Sequence, residues 1–137
     1  MSYGRLNKRA LLVFFATWCG ACREQLPLLQ KVWDDFGKDE RFAMLVIGRG
    51  ETPEAVQSYK SANQYTFPMA ADPETMVFRK FASESVPRMY FVSGDGTILF
   101  QSTGFYPEEV EKLRRAIQRE LCPLQSTSQS KGLGAEL

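Results

Sequence analysis

Apolar residues occur along this chain in two patterns, short unbroken runs and helical spacing. Leu11 to Ala16 is a continuous apolar run that includes Val and two Phe, which is typical of a strand covered on both faces. Ala21 to Phe36 carries apolar residues at helical spacing and is followed by Gly37, so the pattern predicts a helix that stops there. A second buried strand is predicted over Phe42 to Ile47.

Two segments in the middle of the chain begin with the residues that commonly start helices. Residues 52–54, Thr-Pro-Glu, supply a cap, a proline at the first helical position and an acid in the first turn. They predict a helix to about Asn63, followed by a short extended piece from Phe67 to Ala70. Residues 72–74, Asp-Pro-Glu, repeat the capping pattern and predict another helix to about Phe81.

The last third of the chain predicts a hairpin and a helix. Strands are predicted at Met89–Val92 and Thr97–Gln101, on either side of the turn sequence Ser-Gly-Asp-Gly at 93–96. The final helix, Pro107 to about Leu121, has acidic residues early and arginines late, which matches the helix dipole. This order of elements predicts an α/β fold with a mixed sheet, parallel at first and ending in an antiparallel hairpin, with helices on both faces.

Composition and charge restrict the classes of function. A chain of 137 residues, 44% hydrophobic and 24% charged, is expected to form one globular domain. The net charge of +1 does not favour a nucleic acid as partner. Histidine is absent, which excludes His-ligated zinc, Cys-His dyads and Ser-His-Asp triads from this chain.

No membrane segment is predicted, because the longest apolar run, residues 10–16, is too short to span a bilayer. This run follows basic residues as in a signal peptide, but no small-residue cleavage site comes after it. We interpret it as a buried strand and expect that any export signal or anchor has been removed. Residues 123–137 are rich in Gln, Ser, Thr and Gly and are predicted to be a disordered tail.

The residues that carry chemistry are Trp18-Cys19-Gly20-Ala21-Cys22, where the first strand gives way to the first helix. A sulfur at a helix start lies near unpaired N–H groups and the positive end of the dipole, which favour its thiolate form. Cys19 is therefore the predicted reactive cysteine, and Cys22, one turn inside the helix, should be more shielded. Two intervening residues also allow a disulfide, so the pair can cycle between dithiol and disulfide.

The alternatives for this pair are a structural zinc half-site or two packed thiols. Zinc would need two more ligands, and the chain offers no His and only Cys122 in addition. Inert core thiols would not require a position between strand and helix. Cys122 follows the last helix, and we interpret it as a bystander thiol, with a regulatory or intermolecular disulfide as the lesser alternative.

Several short motifs occur together in this chain. They are Phe-Ala-Thr-Trp-Cys-Gly-Ala-Cys at 15–22, Pro27, the step Val86-Pro87, and Gly-Asp-Gly at 94–96 followed by Thr103-Gly104. Between about Leu6 and Leu121 the sequence thus resembles the thioredoxin superfamily, specifically its TlpA/ResA-like thiol-disulfide oxidoreductases. The resemblance implies a thioredoxin-like domain over residues 1–122, with the helix and strand between Ile47 and Phe81 as the central insertion of this branch.

The resemblance also implies roles for particular residues. Pro87 is expected to be cis and to face the cysteine pair, and Val86 is expected to offer backbone groups to a substrate chain. A trans proline at the start of a strand is the alternative. Trp18 is expected to shield the pair and contact substrate, although a packing role is common for such an aromatic.

The chain departs from the family pattern in its acids and at its N-terminus. Thioredoxins carry a buried Asp six residues before the first cysteine, where this chain has Val13. Some TlpA/ResA relatives instead place a Glu after the second buried strand, which matches Glu51. A carboxyl there could pass a proton to or from Cys22, and a solvated loop acid near a helix start is an equal alternative. The family's usual first hairpin is absent or truncated.

Together these residues predict a protein disulfide oxidoreductase. The Cys19 thiolate would attack a substrate disulfide, and Cys22 would resolve the mixed disulfide. This chemistry requires no metal and no organic cofactor. The expected partners are a disulfide-containing protein substrate and a thiol protein as electron donor. The resemblance implies that the protein is bacterial and lies in the periplasm, or is anchored to a membrane and faces the periplasm.

Three other functions could use the same fold. A disulfide oxidase or isomerase would employ the same cysteines with a less reducing potential. A peroxidase would need Thr or Ser three residues before its reactive cysteine, where this chain has Ala16. A redox-inert module could bind extended peptides in the groove beside Pro87.

Overall fold

The computed structural model describes residues 8–81 and 85–121, and the predicted tail and Cys122 lie outside these ranges. The elements are β1 (Arg9–Phe15), α1 (Gly20–Phe36), β2 (Phe42–Arg49), α2 (Pro53–Asn63), β3 (Met69–Asp72), a 3₁₀ helix (Phe78–Lys80), β4 (Arg88–Val92), β5 (Ile98–Thr103) and α3 (Pro107–Leu121). Most of these elements lie within two residues of their predicted bounds.

The five strands form one mixed sheet in the order β3-β2-β1-β4-β5. β1, β2 and β3 are parallel to one another, whereas β4 is antiparallel to both β1 and β5. Phe15 at the end of β1 is paired with Gly48 near the end of β2, and Phe14 is paired with Arg88 at the start of β4. The cysteine motif, the loop after β2 and the loop before β4 therefore meet at the same end of the sheet, where β1 and β2 end and β4 begins.

The two faces of the sheet are covered differently. Alternate residues of β1 point to opposite faces, so Val13 and Phe15 belong to one apolar cluster and Phe14 to another. The first cluster contains buried residues of α1 and α3, and Tyr59 of α2 packs on Phe15 with ring centroids 5.2 Å apart. On the second face, Phe78 of the 3₁₀ helix packs on Phe14. Helical structure thus lies on both faces, but within the described residues the second face has only a 3₁₀ turn.

The helix predicted from Asp72 to Phe81 is wrong. Asp72 is the last residue of β3, and its carboxylate accepts hydrogen bonds from the backbone N–H groups of Val77 at 3.2 Å and Phe78 at 2.8 Å. These donors lie five and six residues after the acid, not two or three as at a helix N-cap. Thr75, which lies between the acid and these donors, has a left-handed backbone with φ of 57°. The acid therefore accepts hydrogen bonds from N–H groups at the start of a short 3₁₀ helix and does not start an α-helix.

Helix α1 ends at Phe36, as the sequence predicts, and glycine follows it for a steric reason. Its backbone is right-handed, with φ of −65°, so the glycine does not serve as a left-handed cap. A Cβ atom at this position would lie 2.6 to 2.7 Å from the carbonyl oxygen and the ring of Trp33. Glycine is needed here because the Trp33 side chain covers the helix end.

Candidate active site

The cysteine pair lies at the N-terminus of α1, as predicted. Cys19 is the N-cap residue, and its sulfur accepts a hydrogen bond from the backbone N–H of Cys22 at 3.1 Å. The two residues form a disulfide, with their Cα atoms 5.3 Å apart. Cys19 is 6% exposed and Cys22 is 0% exposed. The Cys19 sulfur is thus the more accessible one and lies where backbone donors stabilise negative charge.

The loop before β4 brings Val86 and Pro87 to this disulfide. The peptide bond between them is cis, as the resemblance implies. The Val86 carbonyl oxygen lies 3.8 Å from the Cys19 sulfur, although 67 residues separate the two in sequence. The Pro87 carbonyl oxygen accepts a hydrogen bond from the N–H of Gly104, just after β5, at 2.8 Å. This bond anchors the loop to the end of the hairpin.

Two aromatic side chains at this end of the molecule are exposed to solvent. Trp18, which precedes the reactive cysteine, is 67% exposed. Tyr106 is 55% exposed and lies over Gly104, where a Cβ atom would come within 3.3 Å of its ring. Gly104 has φ of +84°, a conformation that favours glycine. Trp18 is not part of the core, so its indole is available for contact with another molecule.

Glu51 is buried in the loop after β2, so its interpretation as a solvated loop acid is wrong. It is 9% exposed, and one carboxylate oxygen, Oε2, accepts two hydrogen bonds from Thr17. The donors are the backbone N–H at 2.8 Å and the side-chain hydroxyl at 3.0 Å. Among the described residues, no hydrogen bond joins this carboxylate to either cysteine sulfur. A role in passing a proton to Cys22 therefore stays a prediction.

The sequence analysis assigned no role to Thr17, which lies two residues before Cys19. The Arg23 guanidinium donates a hydrogen bond from Nη2 to the Thr17 carbonyl oxygen at 3.1 Å. Arg23 also interacts with Tyr59: burial raises the pKa of the Tyr59 phenol above its ordinary value, and Arg23 acts in the opposite direction. Thr17 is thus hydrogen-bonded both to Glu51 and to Arg23. No local signal could have revealed the contact with Glu51, which spans 34 residues of sequence.

A second buried polar residue, Gln25, lies on α1 one turn beyond Cys22. Its side chain is 1% exposed, and neither its amide nitrogen nor its amide oxygen has a hydrogen-bond partner among the described residues. A buried amide without a partner loses its hydration and gains nothing in return. Gln25 therefore destabilises the fold, whereas the buried carboxylate of Glu51 is hydrogen-bonded.

Comparisons with known proteins agree with this arrangement. The model of the AhpC/TSA family matches residues 2–101. Thiol-disulfide oxidoreductase ResA of Bacillus cereus is 22% identical over 103 residues, which cover 75% of this chain and 59% of the relative. Sporulation thiol-disulfide oxidoreductase A of Bacillus subtilis (strain 168) is 23% identical over 110 residues, covering 79% and 66%. The chain thus matches about three-fifths to two-thirds of the length of these relatives.

A solved structure shows the same fold. The solution structure of a candidate protein disulfide isomerase from Bacteroides thetaiotaomicron superposes with a TM-score of 0.79 at 29% sequence identity. The match covers 83% of this chain and 74% of the other. The predicted thioredoxin-like fold with a mixed sheet is therefore confirmed.

Proposed function

Because the chain belongs to the AhpC/TSA family, we propose that it is a thiol-disulfide oxidoreductase that reduces or exchanges protein disulfides through Cys19 and Cys22. The observation that carries this proposal is the Cys19–Cys22 disulfide at the start of α1, with one sulfur capping the helix. The relatives named as thiol-disulfide oxidoreductases support the same activity.

In the reductive direction, the Cys19 thiolate attacks one sulfur of a substrate disulfide and forms a mixed disulfide. The other substrate sulfur leaves as a thiolate and takes a proton from solvent. Cys22, once deprotonated, attacks the Cys19 sulfur, closes the Cys19–Cys22 disulfide and releases the second substrate thiolate. Two electrons pass to the substrate, and a thiol protein must then reduce the pair again. The difference in burial favours attack through Cys19 first.

The substrate in this proposal is an extended protein segment that lies beside the disulfide. The Val86 carbonyl, 3.8 Å from the Cys19 sulfur, can accept a hydrogen bond from a substrate N–H. The Pro87 ring beside it has no N–H to compete for that segment. The exposed Trp18 indole offers apolar area to side chains next to the substrate cysteine. A proton relay through Glu51 stays a prediction that rests on the resemblance alone.

For location, we propose that the protein works outside the bacterial cytoplasm. It is either free in the periplasm or anchored to a membrane with this domain facing the periplasm. The Bacillus relatives support a bacterial origin. In the part of the chain that the structure describes, no helix is both long and apolar enough to cross a bilayer.

Trapping tests this proposal. In Cys22→Ser the resolving sulfur is absent, so the mixed disulfide with Cys19 should persist and be recovered by non-reducing electrophoresis. The matched control is Cys19→Ser, which keeps Cys22 but should trap little because that sulfur is buried. Equal trapping by the two variants, or reduction of a model protein disulfide by Cys19→Ser at the wild-type rate, would overturn the proposal.

A further inference from the structure

We infer that Glu51 is a positioning residue for Cys19. The Glu51 carboxylate holds the turn that places this cysteine at the N-terminus of α1. This inference rests on the proposed function of the cysteine pair and assigns Glu51 a different task from proton transfer. It is carried by the two hydrogen bonds from Thr17 to one oxygen of the buried Glu51 carboxylate.

The turn in question joins β1 to α1. The backbone N–H of Cys19 donates to the Ala16 carbonyl at 3.1 Å, so residues 16–19 form a closed turn with Thr17 as its second residue. Cys19 leaves this turn with extended backbone angles, φ −89° and ψ 113°, which direct its sulfur at the Cys22 N–H. A rotation of the Thr17 peptide would move the Cys19 sulfur away from that N–H. The thiolate stabilisation at Cys19 thus depends on how firmly Thr17 is held.

The carboxylate that holds Thr17 is itself fixed. The Glu51 backbone N–H donates to the Gly48 carbonyl at 3.2 Å. Gly48 is close to the Glu51 side chain, because a Cβ atom there would lie 3.0 and 3.1 Å from its Cγ and Cβ atoms. Glu51 therefore has little freedom to swing out of its contact with Thr17. A fixed acceptor orients the turn, whereas a proton carrier must reach both its donor and its acceptor.

Arg23 also contacts Thr17, through the carbonyl group of that residue. It donates to the Thr17 carbonyl, so the N–H, hydroxyl and carbonyl groups of Thr17 all have partners. Arg23 follows Cys22 directly on α1, and its exposed side chain reaches back to Thr17. The turn is thus fixed against both β2, through Glu51, and α1, through Arg23.

The two hydrogen bonds end on one oxygen, which allows positioning to be separated from proton transfer. In Glu51→Gln the amide oxygen can accept both bonds, but the side chain no longer titrates. Glu51→Ala removes both bonds and the titrating group. Positioning predicts that Gln substitutes for Glu and Ala does not, whereas a proton relay predicts that both variants fail alike.

Charge alone would act in the opposite direction. Loss of a negative charge near Cys19 lowers the pKa of its thiol and speeds alkylation at neutral pH. Loss of the positioning contact raises that pKa, because the sulfur moves away from the Cys22 N–H. The sign of the change in Glu51→Ala therefore separates the two effects.

The experiment measures alkylation of reduced Cys19 by iodoacetamide from pH 5 to 10, together with reduction of a model protein disulfide. We expect Glu51→Ala to raise the pKa of Cys19 by about one unit and to slow both reactions about tenfold near neutral pH. Glu51→Gln should stay within about threefold of wild type in both, since one accepting oxygen remains. Glu54→Ala, which removes an exposed acid three residues away, is the matched charge control.

Each other result has a defined meaning. If Glu51→Gln slows disulfide reduction as much as Glu51→Ala while alkylation is unchanged, the proton relay is correct and positioning is wrong. If Glu51→Ala matches wild type, the inference also fails. If wild-type Cys19 alkylates like a free peptide thiol, the proposed function itself fails, which is a separate outcome.

A second pair of variants covers the case in which Glu51→Ala does not fold. Thr17→Val keeps the backbone N–H but removes the hydroxyl donor, and Thr17→Ser keeps both. We expect Thr17→Val to slow Cys19 alkylation about threefold and Thr17→Ser to match wild type. Equal rates for the Val and Ser variants would overturn the inference.

Discussion

Two turns at opposite ends of the sheet are both held by a carboxylate, but the carboxylates come from different places. In the hairpin turn between β4 and β5, Asp95 accepts hydrogen bonds from the Ser93 hydroxyl and from the Thr97 N–H, the latter at 3.1 Å. All three residues belong to the turn, and Asp95 is exposed. In the turn before Cys19, the acid is Glu51, buried and 34 residues away from Thr17. The carboxylate contacts of one turn are therefore local in sequence, whereas the other turn depends on a contact that forms only in the folded protein.

This difference teaches where the structure can transmit a change. The hydrogen bonds of the Asp95 carboxylate stay within the hairpin turn, so this acid is expected to influence stability alone. The turn at Thr17 is joined to β2 and to α1, so a change at Glu51 reaches the reactive sulfur. Four predictions run from the largest expected effect to the smallest: three test the difference between the two turns, and one, on Gln25, tests a buried polar residue outside both turns.

The largest effect is expected when Glu51 is removed, and removal of Asp95 is the comparison. Glu51→Ala leaves two half-buried Thr17 donors without their acceptor and should lower the free energy of unfolding by about 2 kcal/mol. Asp95→Ala should have a much smaller effect, because its donors can turn to water. Urea denaturation of the two oxidised variants measures both values. Equal losses would show that the buried contact contributes no more than the exposed one.

The next effect comes from two glycines, one near each turn. Gly48→Ala places a methyl group 2.8 Å from Val56 Cγ2 and 3.0 Å from Glu51 Cγ. It should therefore lower the free energy of unfolding by about 1 to 3 kcal/mol. It should also slow alkylation of Cys19, because it displaces Glu51. In Gly96→Ala the methyl group meets no atom of the described residues within 4 Å, but the φ of +92° disfavours any residue other than glycine and should lower the free energy of unfolding by about 1 kcal/mol.

The glycine pair separates stability from reactivity. Denaturation should show a loss in both variants, whereas alkylation of Cys19 should slow only in Gly48→Ala. Slower alkylation in Gly96→Ala would mean that any loss of stability reaches the cysteine, and the two turns would then not differ in the way proposed.

A smaller effect is expected where a buried polar group has no partner among the described residues. Gln25→Leu replaces an unpaired amide with an apolar side chain of similar size and should raise the free energy of unfolding by about 1 kcal/mol. Leu29→Ala on the same buried face of α1 is the control and should lower it by about 2 to 5 kcal/mol. A loss in Gln25→Leu comparable to that in Leu29→Ala would show that the amide is satisfied in solution.

The same distinction between local and remote contacts explains what could be read from the sequence. The α3 bounds, the hairpin and the strand before Cys19 follow from spacing, caps and turn residues within a few positions of one another. The placement of Cys19 at a helix start is equally local. The capping pattern at Asp72 misled because Phe78 packs on Phe14, with ring centroids 5.4 Å apart, and tertiary packing overrode the local preference.

Contacts at the site between residues far apart in the chain could be predicted from the sequence only in part. The nearness of Val86 to Cys19 came from the resemblance to a family, since no spacing rule joins residues 67 positions apart. The resemblance also drew attention to Glu51, but not to its partner Thr17. That partner depends on the parallel register of β1 and β2, which places the ends of these strands side by side.

The smallest effect concerns the pH dependence of the hairpin turn. The hydrogen bond from the Ser93 hydroxyl, followed by that from the Thr97 N–H, lowers the pKa of Asp95 from 3.8 to about 2. An acid whose pKa is lower in the folded state stabilises that state above its unfolded pKa and loses the contribution as the pH falls through the folded one. Asp95 should therefore contribute at about pH 4 and above and cease to do so near pH 2, whereas Asp95→Asn has no such dependence. Melting temperatures of both proteins between about pH 2 and 5 should converge at the acidic end, while Cys19 reactivity at neutral pH stays the same in both. A change of Cys19 reactivity in Asp95→Asn would contradict the view that this turn acts on stability alone.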